Sequence, residues 1–216
     1  KRTGWILSGI PLPESDADHM HRCAMLALLV TSQPPDPRDD YSSSSLASSF
    51  HPSNIDVNKL LRMALTHDVC ESLSGDITPF CGGSVVNSRY EREERAMAEI
   101  RKIVGDPLGR ELFEYWKEYE EQHTVEALYC KDIDKFEMVV QAFEYEERHL
   151  KWRRDGGGGD ETGGQKVLDE PLRTFFVTTN KVMKSPLFRR LDAELRKRRE
   201  HLLKVRGRQI TNDERQ

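Results

Sequence analysis

Val57, Leu60, Leu61 and Ala64 recur at the 3, 4, 7 spacing that lines one face of an α-helix, and the same line runs on through His67, Asp68 and Glu71. A core-facing stripe that ends in an imidazole and two carboxylates restricts the fold more than any other feature of the chain. Burying a carboxylate is unfavourable unless a cation or hydrogen-bond donors compensate it. A divalent cation is the simplest compensation, but a His-Asp pair alone is a dipeptide that also occurs by chance, capping helices or facing solvent. The reading therefore depends on whether other ligand-type residues can reach the same place.

His19 is the first of these. Ser15 and Asp18 form the pair expected at a helix start, and in the helix beyond them His19, Cys23, Leu26 and Val30 share one face while His21 points elsewhere. A lone inward histidine is more often a hydrogen-bonded core residue than a ligand. Two inward histidines with two carboxylates, however, match the mixed nitrogen and oxygen preference of Mn, Fe, Co or Zn. A further carboxylate comes from the helical pattern containing Ile133, Phe136, Val140 and Phe143. There Asp132 aligns with Leu128 and Phe136, Asp134 aligns with Cys130 and Met138, and periodicity does not choose between them.

Helical patterns cover roughly residues 16–31, 55–73, 88–104, 107–121, 123–150, 168–181 and 186–204, with no convincing alternating strand. The expected fold is all-α: one bundle-like globular domain over residues 1–204 followed by a tail, 205–216. Two segments read as insertions, a Ser/Pro-rich stretch at 32–53 expected to be an extended or mobile loop and a Gly-rich stretch at 153–166 expected to be a linker. The glycines are followed by no Lys-Ser/Thr, so they are not a phosphate-binding loop. The basic run Arg196-Lys197-Arg198-Arg199 and the acidic run Glu118-Tyr119-Glu120-Glu121 both read as solvated helix faces. A net charge of −4 gives no reason to expect binding to polymeric nucleic acid, and no apolar run suggests a membrane span. Four cysteines without Cys-x-x-Cys spacing read as free thiols, and the expected location is cytoplasmic or nuclear.

His19, then His67-Asp68, then a distant Asp is a pattern that resembles the HD-domain metal-dependent phosphohydrolases. Lys1-Arg2-Thr3-Gly4-Trp5, Pro13 to Met20, His67 to Pro79, Arg92 to Met97 and Asp134 to Met138 carry the resemblance further, to the 5′-deoxynucleotidase family within them. The resemblance implies a first metal on His19, His67, Asp68 and Asp134. It implies catalytic or second-metal roles for Glu71 and Asp76, with the Ile77 backbone as a further ligand. Asp76 read without it is a turn residue after Gly75, capping the next stretch of chain. Trp5 is either a packing anchor or, as in the family, the wall against the sugar. Family members carry an Arg directly before that Trp; here Gly4 stands there, and Arg2 is the nearest candidate for phosphate contact.

The implied reaction is hydrolysis of deoxyribonucleoside 5′-monophosphates to deoxynucleosides and phosphate, with Mn²⁺, Co²⁺, Mg²⁺, Zn²⁺ or Fe²⁺ as cofactor and a homodimer as the assembly. A divalent ion suits it, because it neutralises phosphoryl oxygens and lowers the pKa of bound water. Glu71, four residues after His67, is placed to handle a proton. The alternatives are another HD phosphohydrolase acting on triphosphates or cyclic nucleotides, or a non-catalytic scaffold that binds a nucleotide or protein.

Overall fold

The computed structural model describes residues 1–32, 34–78, 81–83, 86, 88–154 and 172–213. Among them all regular structure is helical: α1 (Thr3–Leu7), α2 (Asp16–Ser32), α3 (Ser45–Ser49), α4 (Val57–Thr66), α5 (Glu71–Ser74), α6 (Arg89–Val104), α7 (Leu108–Glu121), α8 (Val125–Arg154), α9 (Arg173–Thr178) and α10 (Pro186–Asp213). No helix among these residues is long and apolar enough to cross a membrane.

Helix α8 is the central post, packed by α2, α4, α7, α9 and α10. It is therefore buried on more than one side, with Asp132 and Asp134 both inside, which explains why periodicity could not choose between them. Helices α2 and α4 pack on each other and on α8, and Leu60 and Ala64 of the α4 stripe, joined by Met63 from outside it, meet Cys23, Ala27, Cys130 and Ile133 in the main core, while Val57 and Leu61 are half-buried. A smaller cluster of Met97, Ile100 and Trp116 joins α6 and α7 beneath Cys70. All four cysteines are free thiols, as expected.

The helix expected over 55–73 divides in two. Helix α4 opens on Asp56, whose side chain accepts from Lys59 N at 3.1 Å, and ends at Thr66. In a continuous helix the Ala64 carbonyl would accept from the Asp68 amide; here it accepts from His67 Nδ1 at 3.1 Å. A side chain that takes a ladder carbonyl competes with the helix. The backbone tightens accordingly, with Val69 N, Glu71 N and Ser72 N each bonded to the carbonyl three residues back.

The Ser/Pro-rich stretch is not a loose loop. Ser44 caps α3 through Ala47 N at 3.0 Å, Phe50 is fully buried against the core, and Asp39 is buried in a two-pronged pair with Arg190 of α10 at 2.6 and 3.0 Å. Its serines serve as caps and turn donors while a few apolar residues anchor it. The Gly-rich stretch lies outside the described residues from 155 onward, and residues 153–154 close α8. Of the pattern expected over 168–181, residues 168–171 lie outside the described residues, and among the described ones the helix is α9; α10 continues through residues expected to form the start of a tail.

Neither charge run is simply solvated. Arg196 donates to Asp192 and to the Phe176 carbonyl, both at 2.7 Å, and Arg199 pairs with Glu146 at 2.8 Å while lying 3.9 Å from the Phe176 ring centre. Only Lys197 and Arg198 of that run face solvent, because the other two lie on the side of α10 that packs on α8 and α9. In the acidic run Tyr119 is buried and Glu118 pairs with Lys59 at 2.6 Å.

Candidate metal centre

Three chain segments bring the sequence-predicted ligands together. Ser15 and Asp18 form a reciprocal cap, Asp18 N to Ser15 Oγ at 3.1 Å and Ser15 N to Asp18 Oδ2 at 2.8 Å, which starts α2 one turn ahead of His19. The break after α4 presents His67 and Asp68 together, and α8 supplies Asp134. Asp68 Oδ2 lies 3.4 Å from His67 Nε2 and 3.7 Å from His19 Nε2, and Asp134 Oδ1 lies 3.3 Å from His19 Nε2. Donor atoms each about 2.1 Å from one ion, at right angles or tetrahedral, stand roughly 3.0–3.4 Å apart, so the spacing suits a shared cation.

The protonation pattern suits it too. A carbonyl only accepts, so His67 Nδ1 carries the proton in its bond to Ala64 and Nε2 holds the lone pair. That Nε2 is buried without a hydrogen-bond partner, and complete burial pulls the His67 pKa down, which favours the neutral ring. Burial resists charge on Asp68, but His67, Arg2 and His19 hold its pKa below the usual carboxylate value. Burial likewise resists charge on Asp134, and Lys135 and His19 outweigh it and hold its pKa well below the usual value. Asp134 Oδ2 accepts from Tyr119 Oη at 2.8 Å, whereas Asp132 accepts from Lys184 N and Ser185 N at 2.9 and 2.7 Å ahead of α10. Asp132 is thus a structural cap, and Asp134 is the one of the two that faces His19.

Beside this set, carboxylate oxygens of Asp16, Glu71 and Asp76 lie within 4.8 Å of one another. Asp16 Oδ1 and Glu71 Oε2 are buried with no hydrogen-bond partner, which suits a second cation. Asp76 does more than turn the chain: its Oδ2 accepts from Thr3 N at 2.6 Å, so it caps α1 rather than the segment after it. Ile77 comes next, with its side chain buried.

Burial first, then the charges of Asp68 and Asp76, push the Glu71 carboxyl up from 4.5 to about 10. The folded chain therefore holds a proton that the unfolded chain releases above its ordinary pKa, so stability falls as pH rises from roughly 5 toward 10. With metal chelated, the thermal midpoint is expected to decline from pH 6 to pH 9, and Glu71→Gln is expected to flatten the decline and raise the midpoint at pH 9. Equal slopes for the two proteins would contradict this account of Glu71.

Arg2 places its guanidinium 3.0 Å from Asp68 Oδ2, where burial opposes its charge but Asp68, Asp134 and Glu71 together outweigh it and raise its pKa. Arg2, Trp5, Asp76, Lys135 and Phe175 help line a cleft of about 370 Å³, at the small end of the ligand-binding range. A larger surface depression, about 590 Å³, lies at the far end of α6 between Arg101 and Phe113, away from this centre. Trp5 is a packing anchor that also lines the cleft. It is buried against Phe175 at 4.3 Å and Tyr145 at 5.3 Å between ring centres, its Nε1 donates to Glu14 at 2.8 Å, and it lines the cleft. A side chain at Gly4 would begin 3.4 Å from the Phe175 ring.

Sequence reasoning missed Asp16, Tyr119, Lys135 and Phe175. Asp16 had a usable signal, standing one helical turn before His19, and Tyr119 continues the Leu112, Trp116 face of α7. Phe175 had none, because its approach depends on how α9 packs.

The chain belongs to the HD domain family, whose pattern matches residues 41–155, just over half of it. His19 and Arg2 precede that match, so their place at the centre rests on the distances from Asp68 and Asp134. The chain is 36% identical to the 5′-deoxynucleotidase HDDC2 of Dictyostelium discoideum over 90% of its length and 88% of that protein. It is 34% identical to the Homo sapiens 5′-deoxynucleotidase HDDC2 over 76% of its own length and 70% of that protein. Among solved structures, a conserved hypothetical protein from Pyrococcus furiosus superposes with a TM-score of 0.58 at 25% identity, covering 91% of both chains.

Proposed function

We propose that the chain is a divalent-metal-dependent 5′-deoxynucleotidase that hydrolyses deoxyribonucleoside 5′-monophosphates to deoxynucleosides and phosphate, with His19, His67, Asp68 and Asp134 as ligands of one metal. The observation that carries the reading is His67 Nε2, a buried lone pair with no hydrogen-bond partner, 3.4 Å from Asp68, whose own partner Arg2 lines a cleft walled by Trp5. The names of the relatives, which match most of the chain, point to the same substrate class.

A divalent ion bound there supplies phosphoryl charge neutralisation and a water acidic enough to attack near neutral pH. The chain's own groups do the rest. Arg2 adds a fixed positive charge for the phosphate, supplying from two residues upstream of Gly4 what a longer side chain at that position would otherwise bring. Lys135, on the cleft wall beside Asp134, adds a second. The Trp5 edge and Phe175 offer apolar walls for sugar and base. Asp16, Glu71 and Asp76 form an acidic cluster next to the reacting position, suited to a second cation or to giving and taking a proton at the attacking water and leaving oxygen.

Replacing Arg2 by Ala is expected to lower kcat/KM for a deoxynucleoside monophosphate by about 10²–10³-fold, the usual loss when one charge-stabilising donor is removed. Steady-state phosphate release over a substrate series measures it. A change under twofold would remove Arg2 from the phosphate site.

A further inference from the structure

Glu137 is among the most completely buried carboxylates of the chain, at 1% exposure, and it lies one turn beyond Asp134 on α8. Its Oε2 stands 2.5 Å from His19 Nδ1, and its Oε1 accepts from Arg22 Nε at 2.6 Å. Arg22 lies one turn beyond His19 on α2, and its two terminal nitrogens reach Glu144 at 3.0 and 3.2 Å. Helices α2 and α8 are thus cross-braced. Each carries one group of the metal centre, His19 or Asp134, and three residues later one group of the brace, Arg22 or Glu137.

We propose that Glu137, fixed by Arg22, is a positioning residue: it holds the His19 ring by Nδ1 with Nε2 directed at Asp68 and Asp134, and thereby sets the affinity of the centre for a divalent metal. The inference rests on the proposed ligand set of His19, His67, Asp68 and Asp134. The two histidines differ in a telling way. His67 is oriented by a neutral backbone carbonyl, which is all that a buried imidazole needs. For His19 the chain instead buries a second carboxylate, on the opposite side of the ring from Asp134, and brings in an arginine to hold it. Such a carboxylate is unfavourable as packing but makes the ring a stronger donor when a cation sits on the opposite nitrogen. Glu137 does not line the nucleotide cleft, so its effect on the reaction runs through His19.

The test is Mn²⁺ affinity by electron paramagnetic resonance at the tightest site, on the intact chain stripped with chelator. The proteins compared are wild type, Glu137→Ala, Glu137→Gln, Arg22→Met and His19→Ala, each with its metal-free thermal midpoint recorded. Glu137→Ala is expected to weaken Mn²⁺ binding by about 10–100-fold. Glu137→Gln, whose single amide oxygen can still accept from Nδ1 but then loses the Arg22 bond along with the charge, is expected to fall between it and wild type, and Arg22→Met to weaken binding less than Glu137→Ala. Saturating Mn²⁺ is expected to restore most of the phosphate release in the Gln variant. Should Glu137→Ala fail to fold, the isosteric Gln variant carries the test. If His19→Ala loses the site while both Glu137 variants bind within twofold of wild type, the positioning role is overturned. If His19→Ala itself binds like wild type, the ligand reading fails first and the inference falls with it.

Discussion

Asp68→Asn is expected to abolish phosphate release, by at least about 10³-fold in kcat/KM, while leaving the fold intact. Asp68 Oδ2 is the atom on which the centre converges, facing His67 Nε2, His19 Nε2 and the Arg2 guanidinium. The amide preserves volume, and its oxygen still accepts from Arg2, so a gross collapse of the buried arginine is avoided. The charge that would bind and polarise a cation is lost, and an effect of this size is expected when both metal binding and water activation fail. Circular dichroism and a thermal scan accompany the kinetics. Phosphate release within tenfold of wild type would sink the role of Asp68.

Phe50→Ala is the second large effect, on stability rather than rate. The ring is fully buried, 5.6 Å from Tyr129 between ring centres, in a segment whose composition alone suggests a loose loop. Emptying a packed aromatic site costs about 3–5 kcal/mol, whereas a change on a mobile loop stays within about 0.5 kcal/mol. Urea unfolding with the slope held common separates the two. A loss near zero would return residues 32–53 to the loop that their serines and prolines suggest.

The contrast between these two segments shows what a sequence discloses. Helix faces were legible because periodicity is a local property: the α4 stripe and the inward placement of His19 come from spacing alone, and both histidines stand where that spacing puts them. The choice of Asp134 over Asp132 was not legible from periodicity, since α8 is packed on several sides and neither register faces solvent. The break after Thr66 was hidden for a different reason. It arises from one side-chain bond, His67 Nδ1 to Ala64 O, that leaves no compositional mark.

Charge runs misled because Arg199 finds Glu146, and Arg196 the Phe176 carbonyl, only once α10 is docked. Asp16 was missed because its first-turn position has an ordinary explanation as a helix-start residue, and only the approach of Glu71 and Asp76 gives it another. For the charge runs and Asp16 alike, what the sequence withheld was a long-range approach between segments that are locally unremarked.

The most direct test of the central claim is phosphate release from a panel of deoxy- and ribonucleoside 5′-monophosphates after chelation and add-back of Mn²⁺, Co²⁺, Mg²⁺ or Zn²⁺. The account predicts no release from the chelated protein, restoration by at least one of these ions, and preference for the deoxy substrates. Release that survives complete chelation, or a metal-loaded protein that leaves every monophosphate intact, would contradict it.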